Sequence, residues 1–505
     1  MPIEIDGEHT TARVMVDDES LLEANCREQI QELVDHPAFT EPVRVMPDTH
    51  WGAGAPVGFT MPLGERIVPN VVGVDVGCGM AAANLGDDLP LADAERERRV
   101  RDAVPMGREV HEYDDSVHLV DEFPFDRANR VFESFDDAYV ERFGERVDPL
   151  EFDFDGYDGD YFEGLCQRVL SRKPQGMGYV IRGVGTLGGG NHFVEFARER
   201  DAGDHWVVVH SGSRYLGLAV AEYWQERATE RREHAGLRDG IDDDLVPYLK
   251  FDPSEVSDTD LYEWLTGGKG ESAIRKAKVR EEFDGKAIEE TFDRLAALRP
   301  GETAPDAPGD DAAGDDASDD DAVVAGDRNE ALDYLEGREA HGYFVDMLFA
   351  QQYARWNREV MVDAICDALA VDPVERFQSI HNYVDFRDLT IRKGATPARD
   401  GQRLLVPFNM ADGSVIARGK GNDEYHRTAP HGAGRVMSRT RAFDEVSMDE
   451  FAAAMDGIYS ESVVESVADE APMAYKSADV IADALEPTAE VEARLDVVHN
   501  LKAKE

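Results

Sequence analysis

Residues 343–371 read YFVDMLFAQQYARWNREVMVDAICDALAV; they contain no glycine or proline and are rich in alanine, methionine and aromatic side chains. Because helix-breaking residues are missing and apolar side chains lie on all sides, this stretch predicts one long, largely buried helix. Trp206–Val209 is instead a short apolar run rich in β-branched valine, which predicts a buried strand. Helix and strand together indicate a mixed α+β fold.

The same mixture continues outward from this helix. Glu19–Val34 and Ala92–Ala103 are predicted helices, and Val71–Val74 predicts a second buried strand. Strands and loops follow the long helix, and a helical segment is then predicted over Met448–Val467. No repeat period marks a domain boundary, so we predict a single large α+β body over residues 1–505.

The stretch Glu302–Asp327 differs from the rest of the chain, because it consists mostly of Asp, Ala, Gly and Pro and has no basic residue. Such a segment cannot bury enough apolar surface to fold. We therefore predict a disordered, mobile surface insertion within the larger body. An acidic arm that docks a partner is the alternative.

The net charge is extreme, since 53 Lys and Arg against 105 Asp and Glu give −52. An acidic surface keeps a protein hydrated where salt is very high, because ions screen its self-repulsion. We interpret the charge as halophilic adaptation; an acidic protein that binds basic partners is the alternative. Net charge therefore does not exclude nucleic acid as a ligand.

Composition also limits the class of protein. Hydrophobic residues make up 42%, which allows a sizeable core. No run of about 18 apolar residues suggests a transmembrane helix, and the polar segment Met1–Ser20 has no signal-peptide core. The cysteines form neither a CxxC pair nor a secreted disulfide pattern, so we expect reduced thiols in a cytoplasmic protein. They are Cys26, Cys78, Cys166 and Cys366.

Metal-binding side chains recur at predicted strand ends. Asp75 and Cys78 follow the Val71–Val74 strand, and a carboxylate and a thiol three residues apart can turn toward one centre. Three histidines occupy similar junctions beside Ser or Asn: His192, His210 and His381. Cys, His and Asp donors suit zinc or manganese. A buried cysteine in a glycine turn and polar core histidines are the alternatives.

The segment Gly183–Gly188 matches the dinucleotide fingerprint GxGxxG. That fingerprint needs a helix whose N-terminus binds the pyrophosphate. Here two more glycines follow, and Phe193–Phe196 then has the pattern of a strand. We therefore reject NAD binding, although the loop still allows a backbone to approach a phosphate or a metal.

The segment Pro430–Arg439 places a histidine beside glycines and close to two arginines. A neutral, oriented His431 can attack phosphorus, and Arg435 and Arg439 could hold phosphate oxygens with two hydrogen bonds each. From Arg418 to Arg441 six Lys or Arg accompany two acidic residues, which is unusual in a chain of net charge −52. A solvated loop is the alternative.

Eight segments, in this order, resemble the RtcB family of RNA ligases. They are Met46–Gly52, Gly73–Gly79, Gly190–Phe193, His210–Arg214, His381–Tyr383, Arg392–Thr396, His431–Arg439 and Ala471–Lys476. Each segment alone is modest, but the ordered set is specific and runs through most of the chain.

The resemblance implies the family's α+β fold and a GTP- and Mn²⁺-dependent RNA ligase. Such enzymes join an RNA that ends in a 2′,3′-cyclic phosphate or 3′-phosphate to an RNA with a 5′-hydroxyl. His431 would attack the α-phosphorus of GTP, GMP would pass to the RNA 3′-phosphate, and the 5′-hydroxyl would displace GMP. Two Mn²⁺ ions would hold phosphate oxygens and neutralise developing charge.

The resemblance also assigns side chains by position. Cys78 would bridge the two ions, and the other metal ligands would be Asp75, His192, His210 and His381. The guanine contacts would be Glu195, Tyr475 and Lys502, with Asn191 and Arg435 near the phosphates. The wider GTP site would add His381, Asn382, Ser414, His431, Gly432, Ala433 and Gly434. Further candidates are Asp48, Arg214 and Arg439.

The chain departs from the family pattern in four places. Residues 409–413 lack the glycine–serine form that some members use to hold guanine, which leaves Ser414 as the candidate substitute. Val498–Lys502 is a loose match, Tyr215 replaces a glycine common after the SGSR motif, and the acidic insertion is extra. None of these departures touches the metal positions or His431.

High salt weakens phosphate contacts, so we expect RNA recognition through the metal ions, the local Arg and Lys side chains and the chemistry of the RNA ends. The alternatives are a metal-dependent phosphoesterase that acts on cyclic phosphate without guanylylation and a catalytically idle RNA-binding protein. Halves of tRNA are the expected substrate, with RNA repair as the alternative. An archease-type activating protein is a candidate partner, and no membrane is expected.

Overall fold

Two sheets organise the protein. The computed structural model describes residues 2–16, 22–233 and 329–504, together with short pieces between 241 and 294. The first sheet has six strands in the order β1-β2-β3-β4-β12-β11, and only the β2–β3 pair is parallel. Its strands are β1 (Ile3–Asp6), β2 (Thr11–Val14), β3 (Val43–His50), β4 (Val57–Pro62), β11 (Asn382–Asp385) and β12 (Thr390–Lys393).

The second sheet has seven strands, all antiparallel, in the order β10-β6-β8-β7-β17-β15-β14. They are β6 (Gly79–Gly86), β7 (Phe193–Glu199), β8 (His205–Ser211), β10 (Glu375–Ile380), β14 (Arg403–Asn409), β15 (Gly413–Gly419) and β17 (Ala489–Leu501). Two short pairs complete the strands: β5 (Arg66–Ile67) with β9 (Leu335–Glu336), and β13 (Ala395–Pro397) with β16 (Thr428–Pro430).

Helices cover the sheets and fill the space between segments. They are α1 (Ala24–Val34), α2 (Asp93–Ala103), α3 (Leu119–Glu122), α4 (Phe125–Phe143), α5 (Gly159–Val169), α6 (Met177–Arg182), α7 (Arg214–Glu233), α8 (Lys276–Glu282), α9 (Gly337–Leu369), α10 (Arg439–Glu445), α11 (Met448–Ala454) and α12 (Ala478–Ala484). Within the described part of the chain, none of them combines the length and apolar character that crossing a bilayer requires.

Helix α9 is the core of the molecule and confirms the long buried helix. It has 33 residues, most of them buried, and it ends where Ala370 adopts a left-handed conformation. Its C-terminal half packs with α2 against one face of the seven-stranded sheet, where Met361 and Ile365 lie in one cluster with Val207 and Val209. The alternate β8 residues Trp206 and Val208 pack on the other face. Both sheet faces are therefore covered, which explains the continuous apolar run in β8.

Antiparallel register brings the ends of four strands, β6, β7, β8 and β10, together at one end of the second sheet. Gly79, the first residue of β6, pairs with Ile380 at the end of β10 and with Ser211 at the end of β8. Phe193, the first residue of β7, pairs with His210. The residues just before β6 and β7 and just after β10 therefore lie beside His210.

Three predicted elements differ in the structure. Val71–Val74 is not a strand: Pro69–Val71 forms a 3-10 turn, and Gly73 at φ 87° then reverses the chain, so the strand begins only at Gly79. The C-terminal helix from Met448 ends at Ala454, because Gly457 lies at φ 87° and stops its continuation. The N-terminal helix begins at Ala24, while Glu19 and the acidic stretch Glu302–Asp327 fall outside the described residues.

The predicted helix near Ala92 and the predicted strand at Trp206 are confirmed. The helix of α2 occupies Asp93–Ala103, and the strand around Trp206 occupies His205–Ser211. The glycine-rich segment Gly183–Gly188 is followed by a loop and then β7, so no helix N-terminus is present for a dinucleotide pyrophosphate.

Candidate functional site

A buried group of Cys78, His192 and His210 lies at the end of the second sheet where the four strand ends meet. Their ligand atoms all lie within 4.8 Å of one another. The Cys78 Sγ atom is 3.1 Å from His210 Nε2 and 3.6 Å from His192 Nε2. Separations of this size are close to those between ligands bound to one tetrahedral or octahedral ion, since metal–ligand bonds of 2.0–2.3 Å span them.

Two further predicted ligands extend this group in opposite directions. Asp75 Oδ2 lies 2.8 Å from His192 Nε2, and His381 Nε2 lies 3.2 Å from His210 Nε2. The five donors therefore form a row in the order Asp75, His192, Cys78, His210, His381, with Cys78 at its centre. The residues present fit a metal-binding centre with mixed thiolate, imidazole and carboxylate donors.

Electrostatics favour the metal-binding forms of His210, His381 and Asp75, whereas burial and the nearby Asp75 raise the pKa of the Cys78 thiol. Burial lowers the pKa of His210 and His381 well below the ordinary histidine value, so both rings are neutral. The Nδ1–H of His210 donates to the Asn191 carbonyl oxygen at 3.1 Å, which leaves the Nε2 lone pair toward Cys78. Burial raises the pKa of Asp75, but the charge of His192 and hydrogen bonds outweigh this and hold the pKa below its usual range.

The candidate nucleophile His431 lies directly after β16 and beside this centre. Its ring centroid is 4.9 Å from that of His381. Its Nδ1 is 2.7 Å from Asp48 Oδ2, and the same carboxylate oxygen accepts the His431 backbone N–H at 3.0 Å. Asp48 is fully buried on β3, while the His431 side chain is 20% exposed, so the ring is fixed on one side and accessible on the other.

A cavity of about 370 Å³ joins the metal-binding group to His431. All the residues predicted to bind GTP except Ser414 line it. These are Asn191, Glu195, His381, Asn382, His431, Gly432, Ala433, Gly434, Arg435, Tyr475 and Lys502. Arg439 lines it as well. The structure therefore brings segments separated by more than 300 residues around one space.

Ser414 and Arg214 lie elsewhere. Ser414 is buried on β15 opposite Pro407 and Leu495, and it is not among the residues that line the cavity. Arg214 lines a neighbouring cavity behind His192, and it donates to Thr186 Oγ1 at 3.1 Å and to the Gly107 carbonyl oxygen at 3.0 Å.

Arginine side chains that line the main cavity are paired with buried carboxylates. Arg439 pairs with Asp469 at 2.5 Å and with Glu470 at 2.9 Å. Arg435 donates to the Asp469 carbonyl oxygen at 2.8 Å and stacks over the Tyr475 ring at 5.2 Å. The basic character that the sequence indicated for this segment is therefore balanced by a buried acidic pair.

Sequence reasoning missed Glu470, which immediately precedes the Ala471–Lys476 motif. The locally basic stretch was a usable signal, because buried arginines need carboxylate partners. Lys393 was also missed, although it lies within the quoted Arg392–Thr396 segment; it lines the cavity and donates to the Ala53 carbonyl oxygen.

Two adjacent residues of α9, also missed, hold the loops of the metal-binding group. Arg358 is fully buried and donates to the carbonyl oxygens of Gly77 and Ser211, at 2.7 Å each. Asn357 accepts the backbone N–H of Gly185 at 2.7 Å and donates to the Gly212 carbonyl oxygen at 3.1 Å. These bonds satisfy backbone groups that turns leave unpaired, and no local sequence signal identifies them.

Comparison with known proteins places these residues in a described family. A family model for the tRNA-splicing ligase RtcB matches residues 29–258 and 316–503. The matched ranges contain all five candidate metal ligands and His431. The unmatched residues 259–315 include the first part of the acidic stretch that begins at Glu302.

Two relatives match over nearly the whole chain, and a third matches about a third of it. An RNA-splicing ligase RtcB of Escherichia coli (strain K12) is 27% identical over 495 residues, which is 93% of this chain and 92% of the relative. A tRNA-splicing ligase RtcB of Archaeoglobus fulgidus is 24% identical over 523 residues, covering 92% of this chain and 87% of the relative. A tRNA-splicing ligase RtcB of Aeropyrum pernix is 32% identical over 200 residues, covering 32% and 41%.

Proposed function

The chain belongs to the RtcB family of splicing ligases, and from this premise we propose that it is a GTP- and Mn²⁺-dependent RNA ligase that acts through a guanylylated His431. The observation that carries the proposal is the position of His431. It lies between a buried carboxylate, Asp48, and the metal-binding group, and it borders the same cavity as the residues assigned to GTP.

In this proposal Asp48 prepares the nucleophile. An ionised carboxylate only accepts hydrogen bonds, so the proton of His431 stays on Nδ1 and the lone pair stays on Nε2. His431 Nε2 attacks the α-phosphorus of GTP; an N–P bond forms, the bond to the bridging oxygen breaks, and pyrophosphate leaves. Neutral histidine is a competent nucleophile toward phosphorus once it is oriented.

The next two steps transfer and release GMP. An oxygen of the RNA 3′-phosphate attacks the phosphorus on His431, so the N–P bond breaks and an activated RNA end forms. The 5′-hydroxyl of the second RNA then attacks the RNA phosphorus, loses its proton, and expels GMP. A 2′,3′-cyclic phosphate must first be opened by water, because a cyclic diester has no free phosphate group to accept GMP.

Asp75, Cys78, His192, His210 and His381 would hold two Mn²⁺ ions, with Cys78 as the shared ligand. What supports this is the central position of Cys78, which has one histidine donor close to it on each side and a further donor beyond each histidine. When bound, such ions neutralise charge on phosphate oxygens and orient them for in-line attack. Arg435 would act on the same oxygens from the protein side of the cavity.

We further propose halves of tRNA as the RNA substrate, with RNA repair as the alternative. The support is the description of the family model and of the archaeal relatives as tRNA-splicing ligases. An archease-type activating protein remains the candidate partner, and it enters the test as an added component.

The test is labelling of the chain. The protein in high salt with Mn²⁺ and α-labelled GTP should retain label after denaturation, and His431→Ala should retain none, while the surface variant His9→Ala labels normally. Label on His431→Ala would contradict the assigned nucleophile. If wild type also fails to label, with metal bound and with an archease-type protein added, the proposal is wrong and the phosphoesterase reading replaces it.

A further inference from the structure

One buried carboxylate, that of Glu470, holds four side chains around the main cavity. Glu470 is 4% exposed. Its Oε2 accepts from the Tyr475 hydroxyl at 2.7 Å and from Lys502 Nζ at 2.9 Å. Its Oε1 accepts from Arg439 at 2.9 Å and from Arg435 at 3.3 Å. Four side chains from three separate segments therefore converge on a single residue that neither the sequence nor the proposed chemistry assigned.

These contacts fix which groups can donate and which can accept. Tyr475 has one hydroxyl proton, and because that proton goes to Glu470, the oxygen can only accept. It accepts from Arg435 at 3.3 Å and has a second lone pair for a ligand. Lys502 has three protons and uses one on Glu470, so two remain to donate. Burial raises the pKa of Tyr475, which keeps its proton in place. Burial opposes ionisation of Glu470, but Lys502 and the two arginines outweigh it and lower its pKa.

The opposite wall of the subsite adds acceptors. Glu195 and Asn500 are directly opposed on β7 and β17, and Asn500 Nδ2 donates to Glu195 Oε2 at 3.1 Å. This donation directs the amide oxygen of Asn500 away from Glu195, and that oxygen has no hydrogen-bond partner among the described residues. Lys502 is the first residue after β17 and lies two positions beyond Asn500, and both residues line the cavity.

The subsite therefore offers a donor from Lys502 and acceptors from Tyr475 and the amide oxygen of Asn500. A 6-oxopurine such as guanine presents the complement, an O6 acceptor next to N1–H and N2–H donors. A 6-aminopurine such as adenine presents a donor at position 6 and an acceptor at N1, which reverses the pattern. Each mismatched pair would leave a buried polar group unsatisfied, and that penalty is what gives polar sites their selectivity.

We propose that Glu470 is a specificity-determining positioning residue: it sets the hydrogen-bond polarity of the base subsite, so that a 6-oxopurine nucleotide is accepted and a 6-aminopurine nucleotide is rejected. Glu470 acts through Tyr475 and Lys502 and does not itself touch the base. This inference rests on the proposed function, in which the subsite holds the guanine of GTP.

The test uses binding rather than ligation. Affinities of GDP and ADP for the full-length, Mn²⁺-loaded protein in high salt are measured by titration calorimetry without RNA. Wild type should prefer GDP. In Glu470→Gln the new amide donates to Tyr475, which turns the hydroxyl proton toward the ligand. The ratio of ADP to GDP dissociation constants should then fall at least about tenfold, as expected for loss of one charge-assisted hydrogen bond.

Two controls separate polarity from folding. Glu461→Gln makes the same chemical change at an exposed ion pair with Lys504, and it should leave the ratio at the wild-type value. Glu470→Asp keeps the charge and should restore most of the preference. If Glu470→Gln does not fold, as judged by near-UV circular dichroism, Tyr475→Phe removes the same acceptor and should lower the ratio in the same direction.

The outcomes distinguish the two claims. A wild-type preference for GDP that Glu470→Gln and Tyr475→Phe leave intact would overturn the role of Glu470 while the proposed ligase function stands. A wild-type protein that binds neither nucleotide, or that prefers ADP, would contradict the proposed function itself. A preference that falls in Glu470→Gln and returns in Glu470→Asp supports the inference.

Discussion

The Nδ1 atom of His431 lies 2.7 Å from Oδ2 of Asp48, and the same oxygen accepts the His431 backbone N–H. One carboxylate oxygen therefore fixes both the ring and the main chain of the candidate nucleophile. The two residues are 383 positions apart, so β3 and the segment after β16 must both be in place before the histidine is oriented. Asp48 is also constrained in turn, because its carbonyl oxygen lies 3.2 Å from His50 Nδ1.

We expect Asp48→Asn to reduce the rate of guanylylation at least about 100-fold, since loss of the orienting carboxylate in a Ser-His-Asp triad costs about 10⁴-fold by allowing the wrong tautomer. Affinity for GTP should change little. The measurement is single-turnover labelling with α-labelled GTP, alongside a calorimetric affinity. Asp87→Asn, at an exposed position, is the matched control. A similar loss of guanylylation rate in both variants would contradict the role of Asp48 in orienting His431.

Gly212→Ala should weaken metal binding by about 10–100-fold, the usual cost of disturbing a residue that supports a metal ligand. A Cβ at this position would lie 1.9 Å from Asp75 Oδ1, so the carboxylate must move. Gly176→Ala meets no atom within 4 Å and should bind metal normally. Competition with a fluorescent chelator gives both affinities, and equal values for the two variants would contradict the prediction.

Replacing Cys78 by Ser should lower the metal content from two ions per chain to fewer than one. A serine hydroxyl stays protonated near neutral pH and cannot serve as a shared anionic ligand, whereas a thiolate can. Cys166→Ser alters another buried cysteine, one outside the candidate site, and should keep the wild-type content. Elemental analysis after dialysis measures both proteins; two ions retained by Cys78→Ser would remove the shared-ligand assignment.

The Glu195→Gln variant should gain stability relative to wild type as pH rises. Burial raises the pKa of Glu195 to about 8 in the folded protein, whereas the unfolded chain ionises near the ordinary value of about 4.3. The stabilisation associated with protonated Glu195 is therefore complete below about pH 4.3 and lost progressively up to about pH 8. Glutamine does not titrate, so it avoids this loss.

Denaturant unfolding at pH 5 and pH 8 in high salt measures the Glu195 effect. The difference between variant and wild type should be small at pH 5 and reach a few kcal/mol at pH 8. Glu490→Gln, at an exposed position of β17, should give the same difference at both values. A difference for Glu195→Gln that does not depend on pH would show that the carboxyl is already ionised in the folded protein.

Much of the candidate site was accessible from the sequence because its residues stand at junctions between elements. Cys78 precedes β6, His192 precedes β7, His210 lies near the end of β8 and His381 follows β10. Side chains at such positions meet once strands pair, which is why separate motifs converged on one sheet edge. The error over Val71–Val74 has a local cause, since Gly73 reverses the chain before the strand begins.

What the sequence could not supply are contacts between distant residues. The hydrogen bonds of Arg358 to Gly77 and Ser211 span 281 and 147 positions. The sequence of the long helix predicted only that its residues are buried, not which loops they contact. Glu470 likewise gains its role from Lys502 and Arg435, whose proximity depends on β17 and the segment after β16. Register and packing, not local propensity, determine these pairs.

The position of Asn357 and Arg358 has a consequence for the chain as it is synthesised. The loops that carry Asp75, Cys78 and His192 leave the ribosome more than 150 residues before Asn357 and Arg358 of α9, which hydrogen-bond to the loops of this group. His381 follows later still. A nascent chain shorter than this cannot assemble the full set of donors. An ion that needs all five ligands can therefore bind only after His381 has been synthesised.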